Sequence, residues 1–253
     1  MELRGKTILL TGASSGIGLE LSRLLAKEKV KLALLARREN ILKRLADELK
    51  NSGSEILPIK CDVSKKEDIR KSYLEVKSQF GQVDIAILNS GFSHRAGVDQ
   101  FSSDVAKDIF DVNVFGILNF IGELLPDFKS RKEGVIVGVS SLSDCRGFPR
   151  SGFYNASKAA TTFLLESLRI ELKKYNVKVI TVKPGFVRTE MTEKNQYHMP
   201  FLMPADKAAG IIIKGIKKEK TLIQFPLPAV LGSKLLKMMP DFMFEMIAGR
   251  IKK

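Results

Sequence analysis

Tyr154 and Lys158 stand four positions apart in the run Tyr154-Asn155-Ala156-Ser157-Lys158. On a helix that spacing sends both side chains from one face, one turn from each other. A phenol alone titrates near ~10 and a lysine near ~10.4, so neither exchanges protons readily at neutral pH. A positive charge beside the phenol favours its anion, and opposite charge lowers an acid's pKa by roughly 1 to 3 units. The pair thus suits proton transfer, with Tyr154 as donor and Lys158 as its partner. Upstream, an apolar run ends in Ser140-Ser141. A hydroxyl there can donate to a reacting oxygen and accept from the tyrosine, so Ser140 and Ser141 are both candidates. Asn113 falls inside a long helical stretch, where an amide marks a kink. His94, His198, Cys61 and Cys145 lack metal-ligand spacing, so no metal site is expected.

A second cluster lies near the N-terminus, in Thr11-Gly12-Ala13-Ser14-Ser15-Gly16-Ile17-Gly18. It follows a strand-like segment and precedes a helical one. Glycines there permit positive φ and close approach of backbone to a pyrophosphate, while the helix start supplies unpaired N–H donors. The spacing G-x-x-x-G-x-G is one residue longer in its first gap than the G-x-G-x-x-G dinucleotide fingerprint. At the end of the second strand, an NAD site usually needs a carboxylate for the ribose 2′-OH, whereas NADP needs positive charge for its 2′-phosphate. The chain reads Leu35-Ala36-Arg37-Arg38 with no acid. Arg37 is the candidate phosphate clamp and Arg38 its support, so NADPH is expected over NADH.

These residues need elements to hold them. Short runs rich in Ile, Val and Leu alternate with longer amphipathic stretches, the pattern of helices covering both faces of a parallel sheet. Seven strands are predicted: Thr7 to Leu10, Lys31 to Ala36, Glu55 to Lys60, Val83 to Leu88, Gly134 to Ser140, Lys178 to Lys183 and Thr221 to Phe225. Helices are predicted near Ile17 to Lys27, Asn40 to Lys50, Lys65 to Gln79, Asp104 to Phe128, Tyr154 to Lys174 and Ala205 to Lys217. The expected fold is α/β, a Rossmann-like doubly wound parallel sheet of about seven strands, in one domain over residues 1–253. Two regions break the rhythm: Arg188 to Pro204, and everything after Phe225.

The glycine loop with its preceding Thr11, together with the Tyr154/Lys158 pair, resembles the short-chain dehydrogenase/reductase family, and the resemblance runs from about Gly5 to Pro226. It implies an oxidoreductase in which hydride reaches a carbonyl carbon while Tyr154 protonates the oxygen, oxidation of an alcohol being the reverse. Ser141, 13 residues before Tyr154, holds the place of the family's catalytic serine. Lys158 would also bind the nicotinamide ribose, and Asn113 would hold a water that links the lysine to solvent. The resemblance puts the loop residues Gly12, Ser14, Ser15, Gly16, Ile17 and Gly18 at the cofactor. It puts the Asp62 side chain and Val63 backbone at adenine, where Asp62 alone would read as a helix cap. Leu88-Asn89-Ser90-Gly91 is similar to the family's Asn-Asn-Ala-Gly, departing at Leu88 and Ser90; Asn89 and Gly91 remain cofactor contacts. Pro184, Gly185, Val187 and Thr189 match the turn that meets the nicotinamide carboxamide. Segment 188–204 matches a flap over the substrate, and its Met191, Tyr197, Met199, Phe201, Leu202 and Met203 point to a hydrophobic ketone, a 3-oxoacyl group or a lipid- or steroid-like alcohol. A homodimer or homotetramer is implied as well. The alternative is a non-enzymatic NADP(H)-binding sensor or scaffold, which has no need of the proton donor.

Bulk composition adds limits. Two cysteines fit a reducing compartment, and no uninterrupted apolar run of membrane-spanning length or signal peptide is read, so the cytoplasm is expected. The formal charge of +14 attracts anions of any kind, but nucleic acid is disfavoured by the lack of Trp and of basic runs interleaved with aromatics. The tail, 226–253, is basic and oily together. Ala229 to Met239 and Asp241 to Ile247, separated by Pro240, could form amphipathic helices that close the pocket, join a partner subunit or lie on an anionic membrane surface.

Overall fold

The apolar runs become Thr7–Thr11 (β1), Lys31–Ala36 (β2), Glu55–Lys60 (β3), Ile85–Leu88 (β4), Gly134–Val139 (β5), Val177–Pro184 (β6) and Leu222–Phe225 (β7). All pairings are parallel and the order across the sheet is β3-β2-β1-β4-β5-β6-β7. A parallel sheet is buried on both faces, which is why β1, β4 and β5 are apolar without alternation. Helices are Gly16–Ala26 (α1), Glu39–Leu49 (α2), Lys66–Phe80 (α3), Ser103–Phe110 (α4), Gly116–Arg131 (α5), Gly152–Glu171 (α6), Glu190–Glu193 (α7), Ala205–Lys217 (α8), Leu227–Met238 (α9) and Asp241–Ala248 (α10). The computed structural model describes residues 1–193, 195 and 197–250; positions 194 and 196 of the expected flap and 251–253 of the expected tail lie outside the described residues.

Successive side chains of a strand go to opposite faces, and so the sheet carries two cores. Ile8 and Leu10 of β1 pack with Leu21 and Leu25 of α1, Leu42 of α2 and Ile212 of α8. Leu9, between them, packs on the other side with Ile69 of α3, Phe120 and Leu124 of α5 and Leu165 of α6. The helical run Ser103–Arg131 is apolar and long enough to cross a membrane, yet Ile117, Phe120, Leu124 and Phe128 are core residues of the second layer.

That run is not one regular helix. Between α4 and α5, Asp111–Phe115 winds as a π turn with Asn113 at its centre, the physical form of the expected kink. α6 begins at Gly152, two positions before the predicted start at Tyr154, so Tyr154 lies in its first turn. Both tail helices form, with α9 beginning at Leu227 and α10 ending at Ala248.

From β1 the chain builds outward through β2 and β3, then returns to add β4 on the other side of β1. This reversal opens a crevice beyond the carboxyl ends of β1 and β4, the place where open α/β sheets hold ligands.

Candidate active site

The loop from β1 into α1 forms one end of the crevice. Gly16 has φ +53°, and a Cβ on it would stand 2.7 Å from Thr189 Cγ2. On Gly18 a Cβ would stand 2.0 Å from the Gly12 carbonyl oxygen, so only glycine lets α1 pack onto the loop. The Ser15 side chain makes no capping hydrogen bond at the start of α1. Thr11 ties the loop to β4: its hydroxyl accepts from the amides of Asn89 and Ser90, both at 3.0 Å, and Asn89 Nδ2 donates to the Thr11 carbonyl at 3.1 Å.

Arg38 reaches over this loop. Its guanidinium donates to Ser14 Oγ at 3.2 Å and pairs with Glu190 of α7 at 2.9 Å. Arg37 is exposed on the rim of the same crevice. Of the two arginines, Arg38 is the one fixed on the glycine loop. Asp62 turns its carboxylate to the Ser64 amide at 3.1 Å and hydroxyl at 2.8 Å, capping the turn that leads to α3. Cys61 beside it is buried, which pushes its thiol up to about 11 and leaves it a poor nucleophile.

At the other end lie Tyr154 and Lys158, the expected proton-transfer groups. Lys158 is only 3% exposed; its Nζ donates to the Val139 carbonyl at 2.9 Å and stands 5.7 Å from the centre of the Tyr154 ring. Among the described residues no carboxylate pairs with it. Burial pulls its pKa down to about 8. Burial pushes the Tyr154 phenol up to about 12, against the Ser141 hydroxyl, which draws it down, and with the Tyr197 phenol nearby. In the protein alone, therefore, desolvation outweighs the help that Lys158 was expected to give the phenolate.

Ser141 and Ser140 separate cleanly. Ser140 Oγ donates to the Lys158 carbonyl at 2.9 Å and lies 2.7 Å from Thr162 Oγ1, a structural role that holds β5 to α6. Ser141 accepts from the Ser143 amide at 3.1 Å and hydroxyl at 2.9 Å. Its turn is braced from α6: Asn155 accepts from the Phe148 amide at 2.9 Å and donates to the Ser143 carbonyl at 3.1 Å. A Lys183–Asp144 pair at 2.7 Å, with Asp144 nearly fully buried, braces it from below.

Asn113 stands behind this wall, fully buried. Its Oδ1 accepts from the Phe92 amide at 2.7 Å, and its Nδ2 donates to the Phe92 carbonyl and to Ser157 Oγ, both at 2.9 Å. The Asn113 carbonyl, released by the π turn, accepts from Thr161 Oγ1 at 3.0 Å. The side chain thus fixes the backbone beyond β4 against α6, close to the lysine it was expected to serve.

One crevice of about 830 Å³ joins the two ends. It is lined by Gly12, Ser14, Ser15, Gly16, Ile17, Arg37, Arg38, Asp62, Val63, Asn89, Gly91, Ser141, Tyr154, Lys158, Pro184, Gly185, Val187 and Thr189. Gly18 and Asn113 stand behind the lining as supports. The volume lies in the range of cofactor sites, and the bare helix start, close loop and the Arg38 guanidinium over it fit a dinucleotide. No group of His, Cys, Asp or Glu suited to a metal occurs among the described residues. Of the expected flap residues, Met191 lines the crevice and Tyr197 comes near Tyr154 with the Arg95 guanidinium 4.3 Å above its ring; Glu190, Thr192 and Glu193 join the lining beyond the predicted set. The flap is pinned at its base, where Arg188 and Met203 exchange backbone bonds at 2.9 Å with Met203 and Phe186.

Comparison with known proteins agrees with this geometry. The family model described as short chain dehydrogenase matches residues 6–199. An uncharacterized oxidoreductase of Myxococcus xanthus is 33% identical over 251 residues, covering 99% of each chain. The crystal structure of 3-ketoacyl-(acyl-carrier-protein) reductase from Brucella melitensis, complexed with NADH, is 26% identical with TM-score 0.82, covering 90% of this chain and 99% of that one. An alcohol dehydrogenase from the archaeon Thermococcus sibiricus, complexed with 5-hydroxy-NADP, is 26% identical with TM-score 0.80, covering 94% of this chain and 100% of that one. With the sheet order, the glycine loop and the Tyr154/Lys158 floor agreeing, the chain belongs to the short-chain dehydrogenase family of oxidoreductases.

Proposed function

We propose that the protein is an NADP(H)-dependent oxidoreductase that interconverts a carbonyl and a secondary alcohol on a hydrophobic substrate, with Tyr154 as general acid and base. The observation that carries the proposal is the meeting of Ser141, Tyr154 and Lys158 in the same crevice as the glycine loop and Arg38. A bound nicotinamide dinucleotide supplies or takes up the hydride. Gly12 to Ile17 would hold its pyrophosphate and Arg38, with Arg37 on the rim, the 2′-phosphate. In reduction, Tyr154 donates its phenolic proton to the carbonyl oxygen as the carbon is reduced, and Ser141 donates a hydrogen bond to that oxygen. Tyr154 must then be reprotonated, and Lys158, held near 8, carries the labile proton one helical turn away. Phe92, Val112 and Met191 give the substrate end an apolar lining.

The test is oxidation of NADPH and NADH against a panel of apolar ketones, 3-oxoacyl thioesters and quinones. Loss of a general acid costs about 10² to 10⁴ in rate, so Tyr154→Phe should lose that much kcat while still binding NADPH. A Phe variant as fast as the wild type on any ketone in the panel rules out the mechanism.

A further inference from the structure

The outward face of the tail helices is apolar where a soluble protein normally places charge. On α9, Leu227, Leu231, Leu235 and Met238 are between 58% and 84% exposed. At 100° per residue they fall within an arc of about 80°, opposite the half-buried Ala229, Ser233 and Leu236. On α10, Phe242 is 72% and Met246 52% exposed, opposite the buried Phe244 and Ala248. Isolated exposed leucines need no explanation, but an apolar stripe on each of two consecutive helices does.

The stripe is held rigidly. Arg146 donates from Nε to the Leu236 carbonyl at 3.0 Å and from Nη2 to the Met239 carbonyl, and pairs with Asp241 at 2.7 Å. Its guanidinium lies 5.0 Å from the Phe244 ring centre, and Phe148 meets the same ring edge-on at 5.7 Å. The inward faces of both helices are thereby fixed to the body, and the apolar faces are left pointing out.

Charge selects the occupant. Exposed Lys234 and Lys237 lie on α9 and exposed Arg250 just beyond α10, and with Asp241 engaged by Arg146, Glu245 is the remaining acid. The whole chain carries a formal +14. An isologous contact between two copies would bring two equally basic faces together, whereas an anionic interface attracts them while the lysines' aliphatic stems lie along the apolar stripe. We infer that α9 and α10 form a docking face for an anionic membrane surface, with Leu231, Leu235, Met238, Phe242 and Met246 entering the acyl boundary and Lys234 and Lys237 at the headgroups. This inference stands independently of the proposed reaction.

Flotation of the full chain with phosphatidylcholine vesicles, with and without phosphatidylserine, tests it. The protein should bind the anionic vesicles. Lys234→Gln with Lys237→Gln should weaken that binding about 25-fold, at about 5-fold per lysine. Leu231→Ser with Leu235→Ser should weaken it about 100-fold, at roughly tenfold per leucine, with thermal unfolding unchanged because both side chains are exposed. The chain has no Trp, so Phe242→Trp gives a single reporter whose emission should shift to the blue on anionic vesicles. Absence of flotation together with an unshifted emission overturns the inference. So does a concentration-dependent dimer that the leucine variant dissociates while anionic vesicles bind nothing, which would give the face to a second copy of the chain.

Discussion

Replacing Lys158 by methionine should change how stability depends on pH. The lysine is buried without a carboxylate partner among the described residues, and its pKa falls from 10.5 to about 8 on folding. A depressed lysine pKa means that between pH 8 and 10.5 the unfolded chain binds more protons than the native one, so native stability rises with pH across that window. Below pH 8 both states are protonated and the slope vanishes. Integrating from pH 7 to 9.5 gives about 2 kcal/mol gained by the wild type and not by Lys158→Met. Tyr154, raised from 10 to about 12, acts in the opposite sense but only above pH 10, outside this range. With a urea m-value of about 3 kcal/mol/M, the wild-type midpoint should move upward relative to the variant by about 0.7 M. Because the chain lacks Trp, unfolding is best followed by far-UV circular dichroism at constant ionic strength. Parallel stability curves for the two proteins would refute the reasoning, since they would mean that Lys158 titrates alike in both states.

Three further outcomes follow from the cofactor end. Arg38→Ala should weaken NADPH about 10- to 100-fold, as expected for hydrogen bonds to a charged group, and NADH by less than about 3-fold; equal losses by calorimetric titration reject the assignment. Glu190→Gln, by removing the carboxylate that now holds Arg38, should tighten NADPH by up to about 5-fold, because an exposed pair is worth no more than about 1 kcal/mol. Gly18→Ala places a methyl 2.0 Å from the Gly12 carbonyl oxygen. It should cost about 1 to 3 kcal/mol of stability and lower affinity for both nucleotides together, and a thermal unfolding curve matching the wild type would contradict the crowding.

Much of the fold was legible because a parallel sheet writes itself plainly into sequence. Burial on both faces makes runs such as Ile85–Leu88 and Gly134–Val139 uniformly apolar, and the intervening helices carry a one-sided pattern. Strand ends moved by one or two residues because hydrogen bonding, not hydropathy, sets them. The Tyr154/Lys158 pair was legible for a different reason: both residues sit on one helix, so their spacing alone fixes their relation.

What stayed hidden depends on contacts between residues far apart in the chain. Arg37 and Arg38 are equivalent as letters after a strand, and only the path of α7 brings Glu190 to Arg38 while leaving Arg37 exposed. Ser140 and Ser141 are adjacent and chemically identical, but alternate directions at a strand end send the Ser140 hydroxyl to Lys158 and Thr162, while the Ser141 hydroxyl takes its bonds from Ser143. Asn113 is the most instructive case. Its kink could be anticipated from an amide inside an apolar helix, yet its two bonds to Phe92, 21 residues away, exist because the π turn rotates the side chain toward the end of β4. The same rotation frees the Asn113 carbonyl for Thr161 on α6. One local irregularity thus locks the segment after β4 to the helix that carries Tyr154 and Lys158, so the geometry of that pair rests on a residue that does not line the crevice.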